Sequence, residues 1–257
     1  MPVGAYEPQV SSVNPSTRHP PNRPPLRTCR KLHYIEPMSE YPHGEFLLPL
    51  FPLPNLVFFP RTRMPLHIFE PRYRQMVSDA LASDERFAIV LLRPGWEANY
   101  YGSPPVHQYG TLGHIEQAVA LEDGRYNILV NGKVRVRLIE NVKDDPYRVA
   151  RVIAEPEQAG PPERAYAQRE WLADLSRQYL EYLPGQAEVP ELETAGLDSL
   201  ANALIMSLNL DVEQKQQLLE LGDVVTRAAK VAEELEQRLE RMKFLRGFRN
   251  PGDPKNN

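Results

Sequence analysis

The stretch LPLFPLPNLVFFPRTRMPLHIFEPRYRQM, Leu48–Met76, decides how the rest of the chain is read. It is dense in proline and bulky apolar residues. It holds no polar–apolar alternation long enough for an ordinary surface hairpin, and it turns into a helix at Pro71, since proline is well tolerated at a first helical position. Two short apolar strands are expected around this segment, Phe46–Leu48 and Pro65–Phe69. The helix Pro71–Leu81 follows, with Tyr73, Met76, Val77, Ala80 and Leu81 at helical spacing.

Moving toward the C-terminus, Phe87–Leu92 is a continuous apolar run between Asp84-Glu85 and Pro94-Gly95, the signature of a buried strand. Gly110–Leu121 reads as a longer strand. Asp123-Gly124 marks a hairpin. Tyr126–Val130 follows, and Asn131-Gly132 predicts a second sharp turn or bulge. In Lys133–Leu138 the valines Val134 and Val136 share a face with Leu138, while Lys133, Arg135 and Arg137 form a basic row expected to be a solvated outer face. Tyr147–Ile153 closes the set, and several short strands with tight turns suggest a small barrel.

After Gly160-Pro161-Pro162 the apolar period changes to that of helices. Tyr166–Tyr182 is one, stopped by Pro184-Gly185; Ser199–Leu208 is apolar and buried; Val212–Leu221 carries Asp211 as N-cap and Gln214 at the capping-box position. A long amphipathic helix spans about Asp223 to Leu245. Residues 1–44, rich in proline and arginine, are read as a disordered extension, with Met38 as an alternative start, and residues 248–257 as a flexible tail. The expected domains are residues 45–158 and 159–247. No internal repeat is evident.

The chain has 257 residues, 42% of them apolar, enough for a sizeable core. A net charge of −4 argues against nucleic-acid binding by bulk electrostatics. The single cysteine, Cys29, excludes an internal disulfide and a multi-cysteine zinc site. No segment offers an apolar run long enough for a membrane span, and no secretory h-region is visible. A cytoplasmic protein is expected.

Three blocks in order resemble the Lon N-terminal domain, the substrate-recognition module of the ATP-dependent Lon protease. The first is the quoted stretch. The second is YGTLGHIEQAVALEDGRYNILVNGKVRVRLIE, with Gly110, Gly113, Ile115, Asp123, Gly124, Gly132 and Arg135 at the matching positions. The third is SLANALIMSLNLDVEQKQQLLELGDVVTRAAKVAEEL. The resemblance implies an α+β fold, a PUA-like small β-barrel followed by an α-helical bundle. It implies binding of unfolded or degron-bearing polypeptides, with a full-length Lon protease as a further candidate partner. The chain stops where Lon would continue into its ATPase. The nearest look-alike of a phosphate loop, Asn131–Val134, has Val134 in place of the magnesium-binding hydroxyl, and no segment resembles the Ser–Lys protease domain.

A search for chemistry finds little. His114-Ile115-Glu116 has the H-x-E spacing of zinc deaminases without their P-C-x-x-C partner. His67 and Glu70 straddle a strand-to-helix junction, where Glu70 favours the helix N-terminus. His107 sits in a loop with no evident acidic partner, and no G-x-S-x-G elbow occurs. No catalytic residue, metal ligand or cofactor is expected, and RNA binding or hydrolysis rank behind polypeptide recognition.

Five aromatic residues are the candidate peptide-binding set. Phe58 and Phe59 lie in an apolar stretch that exceeds what one strand face can bury and could leave an exposed contact patch. Trp96, Tyr100 and Tyr101 stand on the loop Pro94–Gln108, where aromatics give large contact area at low entropic cost. An exposed sheet edge would add main-chain hydrogen bonds to an extended ligand.

Overall fold

The computed structural model describes residues 42, 44–183 and 194–249. The elements run in the order β1 (Glu45–Leu53), β2 (Arg63–Ile68), α1 (Pro71–Leu81), β3 (Arg86–Leu92), β4 (Val106–Ala120), β5 (Tyr126–Lys143), β6 (Val149–Ala154), α2 (Pro162–Leu180), α3 (Leu197–Ser207), α4 (Val212–Glu220) and α5 (Val224–Arg249). The six strands form one mixed sheet in the order β2-β5-β4-β3-β1-β6, and β5 also pairs with β6, so that β5, β4, β3, β1 and β6 close a ring. Only the β1–β3 pair is parallel.

The apolar run in β3 is explained by this arrangement. A strand covered on both faces has no polar side to show. Ala88 and Val90 face a cluster with Leu48, Leu50, Leu112, Val134, Val136 and Val152. Phe87 and Ile89 face a second cluster that includes Tyr73, Met76, Val77 and Ala80 of α1. Leu91 enters a third, made mainly of α2, α3, α4 and α5 side chains together with Val57 and Phe59. One strand thus feeds three clusters, and the described residues fall within one compact unit.

Helix α1 has the predicted bounds, with proline in its first turn. Helix α4 carries the expected capping box: Asp211 Oδ1 accepts from Glu213 N at 2.9 Å, and Gln214 Oε1 accepts from Asp211 N at 3.1 Å. Of the predicted sharp turn or bulge at Asn131-Gly132, the structure has the bulge: Leu112 pairs with Val134 and Gly113 with Gly132, leaving Lys133 as the extra residue. β5 continues through the bulge and is 18 residues long. Gly132 also serves close approach: a Cβ there would lie 2.2 Å from the Phe59 carbonyl oxygen, and the segment is tied on by Arg61 N→Gly132 O at 2.7 Å and Gly132 N→Thr62 O at 2.8 Å. The N-terminal extension, the Met38 start, the Pro184-Gly185 stop and the C-terminal tail lie outside the described residues.

Candidate functional site

Glu70 and Arg72, at the start of α1, build the platform for the loop between β3 and β4. Glu70 precedes the helix but makes no side-chain cap. Its carboxylate accepts from the Tyr100 hydroxyl at 2.6 Å and from Arg72 Nε at 3.1 Å. The Arg72 guanidinium lies 4.6 Å from the Tyr73 ring centre and 5.2 Å from that of Tyr100. This sandwich fixes Tyr100 as a pivot, and the neighbouring rings follow edge to face. Trp96 lies 5.5 Å from Tyr100, and Tyr101 lies 5.2 Å beyond, within the range where aromatic pairs attract. The three candidate loop aromatics therefore form one continuous ladder. Its outer ring, Tyr101, is 89% exposed.

A cavity of about 230 Å³ opens beside the ladder, between Tyr101, Arg72 and the β5–β6 turn at Asp144–Arg148. Two bonds hold its walls together: Ser103 Oγ donates to Asp144 Oδ1 at 2.5 Å, and Arg148 Nη1 donates to Pro104 O at 2.7 Å. The Ser103 and Asn141 side chains, both donating to Asp144, hold its carboxyl below the usual aspartate range. Burial pushes Tyr73 up to about 12. Burial and then the bond to Asp79 push Tyr147 up to about 12 as well. Both phenols therefore stay neutral donors at physiological pH.

Phe58 and Phe59 are not part of any surface. They are 1% and 0% exposed, and side chains without accessible area offer no contact to a ligand. Phe58 belongs to the cluster under α1 and Phe59 to the helical cluster. Their backbone is also spoken for, because Thr111 Oγ1 donates to Phe58 O at 2.5 Å and Thr62 Oγ1 to Phe59 O at 2.7 Å. The expected contact patch at these residues is corrected: the excess apolar bulk is taken up by the helices, which a single-strand reading does not include.

Two further expectations change. The basic row is not wholly solvated: Arg135 is buried and donates to the Leu219 and Glu220 carbonyls at 3.0 and 2.8 Å, satisfying the last turn of α4. His107 does meet acids, lying 3.5 Å from Glu213 and 3.6 Å from Glu220 of that helix. His67 contacts Asn127 and Arg125, and His114 contacts Glu85. Among the described residues none of these three histidines has a hydroxyl or thiol partner, and no group of three His, Cys, Asp or Glu is placed to hold a metal ion. No described helix is long and apolar enough to cross a membrane.

The Glu70–Arg72–Tyr100 anchor escaped the sequence because Tyr100 lies 28 positions from Arg72 and 30 from Glu70. The one local sign was a glutamate before Pro71, which reads equally well as a helix-start residue.

The family model for the ATP-dependent protease La (LON) substrate-binding domain matches residues 47–237. The chain belongs to this family. Among curated relatives, Lon protease 2 of Herpetosiphon aurantiacus is 28% identical over 79% of this chain and 25% of its own length. Lon protease 1 of Bdellovibrio bacteriovorus is 31% identical over 79% and 26%. The chain thus spans about a quarter of the curated relatives it matches. A Lon N-terminal domain protein from Xanthomonas campestris superposes with a TM-score of 0.54 at 25% identity, covering 72% of this chain and 96% of that one. The N-terminal domain of a Mycobacterium avium complex Lon protease gives 0.57 at 18%, covering 74% and 98%, which speaks to fold alone. The Lon substrate-binding match takes in the aromatic ladder, its Glu70–Arg72 anchor and the helices behind them.

Proposed function

We propose that this chain is a non-catalytic polypeptide-recognition module that acts in the cytoplasm on unfolded or degron-bearing segments, as an adaptor or holdase in protein quality control. The observation that carries the reading is the half-buried ladder Trp96–Tyr100 that ends in exposed Tyr101, on a chain of the Lon substrate-binding family. Rigid aromatic rings with polar tips make large contacts with few rotors to freeze, which suits loose recognition of varied sequences. The closed ring of strands supports reading residues 45–158 as a PUA-like barrel, and the shared core of α2, α3 and α5 supports reading residues 159–247 as a helical bundle behind it. Affinity for any one segment is expected to be modest, since ordering a disordered ligand costs entropy. A full-length Lon protease is the natural recipient of captured segments.

The test is fluorescence anisotropy with a labelled, permanently unfolded protein, and folded protein and RNA as controls. Saturable binding of the unfolded chain alone, weakened by Trp96→Ala/Tyr100→Ala/Tyr101→Ala with the melting curve preserved, supports the reading. No binding of the unfolded chain defeats it.

A further inference from the structure

β4 and β5 run as a pair from Tyr126 and Ala120 up to Tyr109 and Arg137, and then part. β4 turns away toward β3, where Val106 pairs with Leu92. β5 continues to Lys143, paired on one side only, with β6. Among the described residues no other backbone hydrogen bond reaches Leu138–Lys143. The fork between the diverging strands is a cleft of about 440 Å³ whose walls include Val106–Gln108 and Leu138–Asn141, with buried Leu50 and Ala150 beneath. That size lies in the range of about 300–1,000 Å³ common for ligand clefts.

Other strands are also open on one side: β4 pairs with β3 only as far as His114 but with β5 to Ala120, and Val119 there is 58% exposed; the β5 edge is the one that borders the fork. β2 also has an open side, but Pro65 removes one of its donors. The β5 stretch, LIENVK, has no proline. Its two register shifts against β6 leave Ile139 and Val142 without partners in register, and both stay exposed, at 40% and 49%. Unpaired main chain and exposed apolar side chains thus coincide beside the cleft.

The charges of the cleft single out one side chain. Glu140 is neutralised by Arg151 at 2.8 Å. Arg148 is engaged by the Pro104 carbonyl and by Asp144 at 3.8 Å. His107 is drawn to Glu213 and Glu220. Arg93 lines the cleft, its own N–H fixed to Pro105 O at 2.9 Å, while its exposed guanidinium has no acidic partner among the described residues.

We propose that this fork receives an extended polypeptide segment, which adds as a strand to the free edge of β5, sets apolar side chains against Ile139 and Leu138, and brings an acidic side chain to Arg93. The inference rests on the polypeptide-recognition reading and names its substrate class: apolar, extended and acidic. An unpaired strand edge supplies main-chain bonds to any sequence, and the Arg93 charge supplies the bias among sequences.

Labelled octapeptides of alternating valine and threonine with one central glutamate or lysine test this on the full chain by anisotropy. Wild type is expected to prefer the glutamate peptide by about tenfold, the size of one favourable pair replaced by one repulsive pair. Arg93→Glu, at an exposed position, is expected to invert that preference. N-methylation of alternate peptide amides is expected to abolish binding, because it removes the donors a strand needs. A preference that ignores residue 93, or an N-methylated peptide that binds as well, overturns the proposal. If the unfolded-protein ligand still binds in that case, the recognition reading stands and only the fork is excluded; if neither ligand binds, both fall.

Discussion

The Asn202 side chain, on α3, donates from Nδ2 to the main-chain carbonyl of Pro60 at 3.1 Å, across 142 residues of sequence. Its Oδ1 accepts from Arg227 Nη1 of α5 at 2.9 Å. A single buried amide therefore links the proline-rich segment between β1 and β2 to two helices. Asn202→Leu leaves both the Pro60 carbonyl and an Arg227 N–H without this partner. The expected loss is about 1–3 kcal/mol per unsatisfied group, read from urea unfolding. A variant as stable as wild type would show that water replaces the amide.

Arg227 is fully buried. It pairs with Glu157 and donates to the carbonyls of Leu218 and Leu221 around the end of α4. Removing one member of a buried pair strands the other, at about 3–5 kcal/mol. Arg227→Met and Glu157→Gln should each destabilise strongly, and the double variant should lose less than the two together. Additive losses in the double-mutant cycle would contradict that coupling.

Phe59→Ala tests the corrected role of that residue. Truncating a fully buried phenylalanine is expected to cost about 3–5 kcal/mol, whereas Tyr101→Ala, at the exposed end of the ladder, should leave the melting temperature almost unchanged. Thermal melts of the two variants side by side give the answer.

Gly132→Ala places a methyl group 2.2 Å from the Phe59 carbonyl oxygen. Backbone has to move, and overpacking of this kind costs about 1–3 kcal/mol. The same denaturation measurement applies, with loss of the Arg61–Gly132 amide protection in hydrogen exchange as the local signature.

Asp223 caps α5, its Oδ1 accepting from Thr226 N at 2.6 Å. The Thr226 hydroxyl, and then its N–H, hold the carboxyl below the ordinary value of 3.8. A depressed folded-state pKa means that the unfolded chain takes up the proton first. The stabilisation is therefore complete above the ordinary aspartate pKa and is lost as pH falls through the depressed value. Asp223→Asn should remove that part of the acid dependence, and Asp223→Ala should cost about 1 kcal/mol at neutral pH as a lost cap. Urea midpoints at pH 7 and in acid separate the two.

Much of the architecture was legible before any coordinates. The α1 boundaries, the capping box on α4 and the buried strand Phe87–Leu92 depend on residues within a few positions of one another, so their periodicity and turn chemistry are written locally. The order of strands before helices and the family followed from the same local blocks. Tertiary structure decided the rest. Phe58 became core because α1 covers it, and Phe59 because α3 and α5 do. Arg135 left solvent because the end of α4 presents it with carbonyls. The bulge at Asn131-Gly132 was legible, but the Phe59 backbone that packs into the space Gly132 leaves was not. The fork opened because β4 and β5 choose different neighbours after Tyr109 and Arg137. Each of these outcomes joins groups tens of residues apart, and a linear pattern carries no record of which distant partner will arrive to satisfy a carbonyl or cover a ring.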